Sequence, residues 1–428
     1  MLNVMRNQRA TVAAACLGWF FSAVDTVLLI LYQKQVAATL GVDAQTIRIA
    51  IGVGLLGSAF GGIVFAQLGD RLGRIRILGW SVVVYSIATA GMAVAPNVFV
   101  LMGFRFIAGV GTGGEWAVGF ALITEVWPRA KRGTLGGIVS AMFNLGTFLA
   151  IALYQSGISW RISFGVMLLP ALGVVWLRRL VPESPVWVAL QEARAAGKVA
   201  RLLEDSMRRA PLVALLRGRL VGVVLKATVI FTLMNFAFYG FSTVFINYLQ
   251  TDRALGGLAL NARGEAPYQL ALNLGGMVGG VLAGLTSDLL GRRLAYSLFC
   301  LIGVAGYGAL FILTSREPGT STSLLLVFTM ICVSFGIGSI MGSLASELFP
   351  TYLRSTGPGF CQNIGKGVGG LLGPTIAGVL LPKLGFAPVL AMPGICLGVL
   401  ALLVWLLPEV GGRVVTPVED EAVSIRKV

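Results

Sequence analysis

A chain of 428 residues with 56% hydrophobic and 12% charged residues, and a mean hydropathy of +0.86, cannot fold as an ordinary water-soluble globule. Its net charge of +15 raises nucleic-acid binding, an option that the placement of the basic residues removes below. Cys16, Cys300, Cys332, Cys361 and Cys396 all lie in apolar stretches, which excludes a disulfide framework, and no metal or cofactor is indicated.

Apolar segments occur at 11–32, 46–66, 77–95, 98–121, 134–157 and 160–181, and again at 220–249, 266–286, 294–314, 322–346, 356–381 and 386–407. Each approaches the roughly 20 residues that a helix needs to cross hydrocarbon. They are too long for barrel strands, and lipid offers the backbone no partner. The fold class is therefore read as all-α integral membrane, with twelve transmembrane helices in two pseudo-symmetric six-helix bundles. The expected units are an N-terminal bundle (1–181), a linker (182–219), a C-terminal bundle (220–407) and a tail (408–428). Within the linker, Gln191 to Arg209 spaces Leu and Val helically among charges, which predicts a short amphipathic helix on the membrane surface. No secretory leader is expected, because the first apolar stretch runs on as a full span containing a charge.

An even number of spans puts both termini on one side. With residues within one turn of a span's end counted in the adjoining loop, that side carries 23 of the Lys and Arg residues, against 7 on the other side and 3 inside spans. The asymmetry makes both termini and the linker cytoplasmic, in the cell inner (plasma) membrane. The basic excess is thus an orientation signal that also attracts anionic lipid, and no nucleic-acid partner is expected.

One polar signature occurs twice. Asp70-Arg71-Leu72-Gly73-Arg74 is followed by Glu125, Pro128 and Arg132, and Asp288-Leu289-Leu290-Gly291-Arg292 is followed by Glu347, Pro350 and Arg354. Asp288 lies 218 residues after Asp70, while Glu347 and Arg354 each lie 222 residues after Glu125 and Arg132. Pro182-Glu183 recurs as Pro408-Glu409. Two ordered copies imply two halves built to one plan.

These motifs resemble those of the major facilitator superfamily over essentially the whole chain. In that family the run between spans two and three binds helix ends and the paired Glu-x-x-Pro-x-x-x-Arg loop across the cytoplasmic mouth. The resemblance assigns a cytoplasmic gate to Asp70, Arg71, Arg74, Glu125, Arg132, Asp288, Arg292, Glu347 and Arg354. Gly113-Gly114-Glu115-Trp116 is similar to the metabolite:proton and sialate:proton symporters, and Gly365-Lys366 looks like the Gly-Arg pair of aromatic-acid:proton symporters. Pro182 to Trp187 is similar to the sugar porters' motif after span six, but their span-five glutamines are replaced by Ser140 and Thr147, which disfavours a sugar. Gly109, Gly111 and Gly114 spell a dinucleotide fingerprint, yet they lie inside a span, where glycines let helices approach.

An ionisable group at the bilayer centre costs roughly 2.5 to 3.5 kcal/mol on insertion scales, so the charges within spans need partners. Asp25 lies about 21 Å from the cytoplasmic start of span one, and Arg105 about 20 Å from the inner edge of span four. Equal depth predicts an ion pair, and the sugar:proton symporters carry an Asp and an Arg at corresponding places. Arg105 favours the carboxylate of Asp25, whereas loss of water favours the acid. The chain has no histidine, so a carboxylate must carry any proton. Glu115 lies about 15 Å from Arg105 along the same helix and on another face, and is read as a second carboxylate for proton exit or the inner gate.

Lys366 lies about 15 Å into span eleven, near the midplane. With Arg105 it favours a carboxylate substrate, through charge-assisted contacts. Asn363, Asn235 and Tyr239 are candidates for the substrate's other polar groups. The expectation is a monomeric, non-enzymatic carrier that imports a small organic anion with protons by alternating access. The alternatives are a sugar or polyol symporter, an efflux antiporter and a non-transporting membrane sensor.

Overall fold

The computed structural model of the chain describes residues 2–127, 131–177, 181–196, 211–217, 220–260, 262–315 and 321–410, and no strand occurs among them. The first half contains α1 (Leu2–Leu40), α2 (Ala44–Leu72), α3 (Arg74–Met92), α4 (Val98–Val126), α5 (Arg132–Gln155), α6 (Trp160–Gly165) and α7 (Leu168–Leu177). Two short helices follow, α8 (Pro185–Ala195) and α9 (Pro211–Leu215). The second half contains α10 (Leu220–Gln250), α11 (Ala262–Leu290), α12 (Arg292–Ser315), α13 (Ser321–Ser334), α14 (Ile337–Leu348), α15 (Thr356–Leu384) and α16 (Phe386–Leu403). Eleven stretches, with α13 and α14 counted as one, are long and apolar enough to cross a bilayer, and the sixth expected span is the split pair α6–α7.

Local chemistry sets these boundaries. Asp43 caps α2 by accepting from the Thr46 amide at 3.0 Å, and Asn97 caps α4 by accepting from Val100 at 3.0 Å. The break after α6 falls where Pro170 has no N–H to give the Val166 carbonyl and its ring crowds that carbonyl. The break between α13 and α14 falls at Gly336, whose Cα lies so close to the Gly279 backbone that a side chain would collide with it.

The described part of the linker holds α8, which overlaps the expected helix only at 191–195; α8 begins at Pro185, because Ser184 caps it by accepting from the Trp187 amide at 3.3 Å and Pro185 suits the first helical turn. It is docked on the bundle, since Trp187 Nε1 donates to the Asp70 carbonyl at 2.9 Å. Residues 197–210, which hold the rest of the expected helix, lie outside the described residues, as do Pro128 and residues 411–428 of the expected tail.

Apolar side chains fill the core and also cover the outside, as in a protein that faces lipid. Leu56, Phe60, Leu326, Ile395 and Leu402 face outward from their helices, while Asp25, Arg74, Arg105, Glu115 and Arg292 are buried. Glycines bring backbones into contact where no side chain would fit. A Cβ at Gly57 or Gly61 of α2 would strike the carbonyls of Phe106 or Val110 on α4, and one at Gly109 or Gly113 of α4 would strike those of Gly54 or Ser58 on α2. A Cβ at Gly111 would come within 2.6 Å of the Tyr85 amide nitrogen on α3. The fingerprint-like glycines are thus packing residues.

A large residue on this seam must force α2 and α4 apart. Gly113→Leu is expected to destabilise the bundle by at least the roughly 1 to 3 kcal/mol typical of overpacking. Gly103→Leu, a site on the same helix that faces open space, should leave stability unchanged. Thermal unfolding and monodispersity in detergent distinguish the two.

Candidate functional site

Mid-depth in the first half, α1, α3 and α4 bring together Asp25, Thr89 and Arg105. Arg105 Nη1 lies 3.1 Å from Asp25 Oδ2 and donates to the Asp25 carbonyl at 3.3 Å, and the Thr89 hydroxyl donates to Oδ1. Asp25 is 1% exposed and Arg105 5%. The expected pairing at matched depth is therefore present. Arg105 Nε has no hydrogen-bond partner among the described residues. It lies over Gly54 of α2, where a Cβ would come within 2.6 Å of it.

One turn along α2, Lys366 reaches across from α15 and donates from Nζ to the Ser58 hydroxyl at 3.3 Å. Gly54 and Ser58 are separated by about 6 Å of helix rise. The two cations thus lie on adjacent turns of one helix, near enough for their charges to repel. Asp25 neutralises Arg105, whereas no described carboxylate reaches Lys366. This corner of the molecule carries an excess positive charge.

The other candidates are placed as follows. Asn363 is wedged against Gly62 of α2 and donates to the Gly359 carbonyl at 2.8 Å. Asn235 donates to the Phe231 carbonyl at 2.7 Å and to Gln362 Oε1 at 3.3 Å. The backbone therefore takes the amide nitrogen of both. The Tyr239 ring packs on Gly370. Glu115 points away from Arg105 toward Gly18 of α1. Its neighbour Trp116 makes an edge-on ring contact with Phe231 of the second half, 5.6 Å between centroids, which lies between this site and the motif loops.

At the end of the bundle that carries the repeated motifs, the two halves are tied by one arrangement made twice. The Asp70 carboxylate accepts from the amides of Ser355 and Thr356 at 3.0 and 2.7 Å and from the Thr356 hydroxyl at 2.7 Å, which caps α15. The Asp288 carboxylate accepts from the amides of Gly133 and Thr134 at 2.8 and 2.7 Å and from the Thr134 hydroxyl at 2.8 Å, at the start of α5. Each half thus places an anion at the positive end of a helix dipole in the other.

Arginines complete the two clusters. Arg74 lies 3.1 Å from both Asp70 and Glu125, Arg354 lies 3.2 Å from Glu125, and Arg74 also donates to the Thr351 carbonyl. In the mirror cluster Arg292 lies 2.8 Å from Asp288 and 3.2 Å from Glu347, and Arg132 lies 3.6 Å from Glu347. Arg71 is exposed beside the first cluster.

Sequence reasoning missed the role of Glu183 and Glu409. Glu183 accepts from the Arg74 and Ile75 amides at 2.8 and 3.1 Å, and Glu409 accepts from those of Arg292 and Arg293 at 3.2 and 3.1 Å. They cap α3 and α12. The glycines before those helices, Gly73 and Gly291, have φ of 108° and 88°, a region that other residues rarely adopt. The repeated Pro-Glu was the available signal. Thr89 and Ser58 gave none, being small hydroxyls in apolar runs.

Removing one member of a buried ion network strands the others. Arg74→Ala is expected to cost about 3 to 5 kcal/mol, since it leaves Asp70 and Glu125 short of a counter-charge. Arg76→Ala, an exposed side chain on the same helix, should stay within about 0.5 kcal/mol. Thermal denaturation of the purified variants measures the difference.

With this geometry in view, the comparisons with known proteins are specific. The sequence profile of the Major Facilitator Superfamily matches residues 13–365. The chain is 26% identical over 374 residues to the sialic acid transporter NanX of Escherichia coli, covering 86% of each protein. It is 27% identical over 390 residues to the gentisate transporter of Corynebacterium glutamicum, covering 89% of this chain and 83% of that one. Its fold is similar to that of the proton:xylose symporter XylE, solved with 6-bromo-6-deoxy-D-glucose, with a TM-score of 0.79, 19% identity and coverage of 97% of this chain and 99% of that one. This multi-pass membrane chain, with its duplicated inter-half clusters, belongs to the Major Facilitator Superfamily and is a transporter, not an enzyme.

Proposed function

We propose that this transporter is a proton-coupled symporter that imports a small organic acid anion by alternating access. The observation that carries the reading is a buried Asp25–Arg105 pair beside Lys366, a second cation with no counter-charge. Protonation of Asp25 removes the charge that holds Arg105. The guanidinium, whose Nε already lacks a partner, then joins Lys366 in holding a carboxylate. The proton and the anion thus favour each other's binding, as symport requires. Tyr239, Asn235 and Asn363 are the candidates for the substrate's remaining polar groups.

In this reading the bundles 1–181 and 220–407, joined by the linker 182–219, rock about the mid-depth site. The motif clusters of Asp70, Arg71, Arg74, Glu125 and Arg354 and of Asp288, Arg292, Glu347 and Arg132 close the cytoplasmic mouth. The basic excess on that face, which includes the linker, supports a cytoplasmic placement of both termini in the cell inner membrane. The carrier works as a monomer. Two relatives are named for sialic acid and gentisate, both carboxylates, which supports an organic acid over a neutral sugar.

Uptake into proteoliposomes under an imposed pH gradient, with labelled N-acetylneuraminate, gentisate and xylose as the panel, tests the reading. Accumulation of an acid and not of xylose is the expected result. Lys366→Gln should weaken anion binding by about 10- to 100-fold, the loss of one charge-assisted hydrogen bond, and unchanged uptake would refute the substrate assignment. Asp25→Asn should reduce gradient-driven accumulation while retaining anion exchange. Accumulation at the wild-type level would remove Asp25 from the coupling.

A further inference from the structure

Glu115 is 2% exposed and, among the described residues, neither of its carboxylate oxygens has a partner in good hydrogen-bond geometry. It fills a notch in α1 made by Gly18, where a side chain would collide with its Oε1. From α1 the Ser22 hydroxyl lies beside it, outside good hydrogen-bond geometry, and the charge of Asp25 acts on it. From α3 the Tyr85 hydroxyl faces it while donating to the Gly18 carbonyl at 3.5 Å. On its own helix, Arg105 is committed to Asp25. No described lysine or arginine pairs with Glu115. A carboxylate held dry, with no cation and at best a hydroxyl beside it, and facing a second anion, sheds its charge by binding a proton.

We infer that Glu115 holds a second transported proton, so that each monocarboxylate anion crosses with two protons and every cycle carries one net positive charge inward. The inference rests on the proton-symport reading above and adds its stoichiometry. Asp25 and Glu115 each take one proton on the entry side and each give it up on the other side, and the anion travels on Arg105 and Lys366. With both carboxylates ionised, the charges of Asp25, Glu115, Arg105 and Lys366 sum to zero, so the empty carrier can return without stranding charge in lipid. The exit for the second proton is built into the next residue. Trp116 seals against Phe231 of the second half. Glu115 itself lies eleven residues, about 16 Å, from the motif-loop end of α4. Parting the halves at that end breaks the ring contact and lets water approach Glu115.

The test uses the full chain in proteoliposomes, with N-acetylneuraminate and gentisate as probes, a fixed pH gradient, and the potential set by valinomycin and potassium. Wild-type uptake should rise when the interior is made negative. Glu115→Gln should keep gradient-driven uptake and lose that response to potential. Wild-type uptake that follows the pH gradient but ignores the potential would overturn the second proton and leave the symport reading standing, as would a Glu115→Gln variant with the wild-type voltage response. Uptake of both probes without any dependence on the pH gradient would overturn both readings. Should Glu115→Gln fail to fold, infrared spectroscopy of Asp25→Asn decides the protonation state. A carboxylic-acid carbonyl band at neutral pH is expected, and its absence overturns the proposal.

Discussion

Hydrocarbon offers no partner for a charge, so every ionised group that this chain places inside the bilayer must be met by another part of the same chain. The described structure satisfies that constraint in two layers. At the motif-loop end, carboxylates and guanidiniums of the two halves neutralise one another and cap one another's helices. At mid-depth a single pair, Asp25 and Arg105, is neutral by itself, while Lys366 and Glu115 stay without a counter-ion. In the reading proposed above, this unfinished layer is where a travelling ion has work to do, because an anion would complete Lys366 and a proton would complete Glu115.

The layers are mechanically joined because the same helices run through both. On α4, Arg105 and Glu115 stand at mid-depth and Glu125 in the gate cluster, each separated from the next by about 15 Å of rise. On α2, Gly54 and Ser58 underlie the two cations, and Asp70 caps α15. Gly57, Gly61, Gly109 and Gly113 lock these helices backbone to backbone, so they tilt as one body. In the proposed cycle, a change in the charge on Asp25 is felt as a change in the contact between Arg105, α2 and α15, and the same α2 carries the aspartate that must release α15 for the gate to open.

Much of the fold was legible because hydropathy and basic-residue placement answer directly to the bilayer. The repeat offsets picked out the residues of the two inter-half clusters before any geometry, and equal depth along two helices was enough to pair Asp25 with Arg105. What the sequence concealed has a common cause. Thr89 and Ser58 act through one hydroxyl each, and serines and threonines are frequent enough in apolar helices to carry no positional signal. The Ser355, Thr356, Gly133 and Thr134 partners of the aspartates are mostly backbone amides, which every residue possesses. Helix α8 was not foreseen because Leu and Val spacing reports on an apolar face, whereas Ser184 and Pro185 fix where α8 begins.

The repeat also fails in an informative place. The buried ion clusters are duplicated, with Leu289 standing where the first copy has the exposed Arg71, yet the positions in the second half that match Asp25, Arg105 and Glu115 by the same offsets are Thr243, Val327 and Ile337. Thr243 spends its hydroxyl on the Tyr239 carbonyl of its own helix, so it neither needs nor offers a partner across the bundle. In the other direction, Lys366 matches Asn144 and Ser58 matches Gly276, and those two residues pack against each other without an ion. A symmetric closure suits two bodies that rock against each other, because equal ties on both flanks let the mouth shut squarely. An organic anion has one charged end, and a site that mirrored its charges would either repel it or bind it in two orientations. In the proposed cycle, placing the proton-binding carboxylates in one half and the lone lysine in the other breaks that symmetry, and it leaves the anion as the ion that draws the halves together.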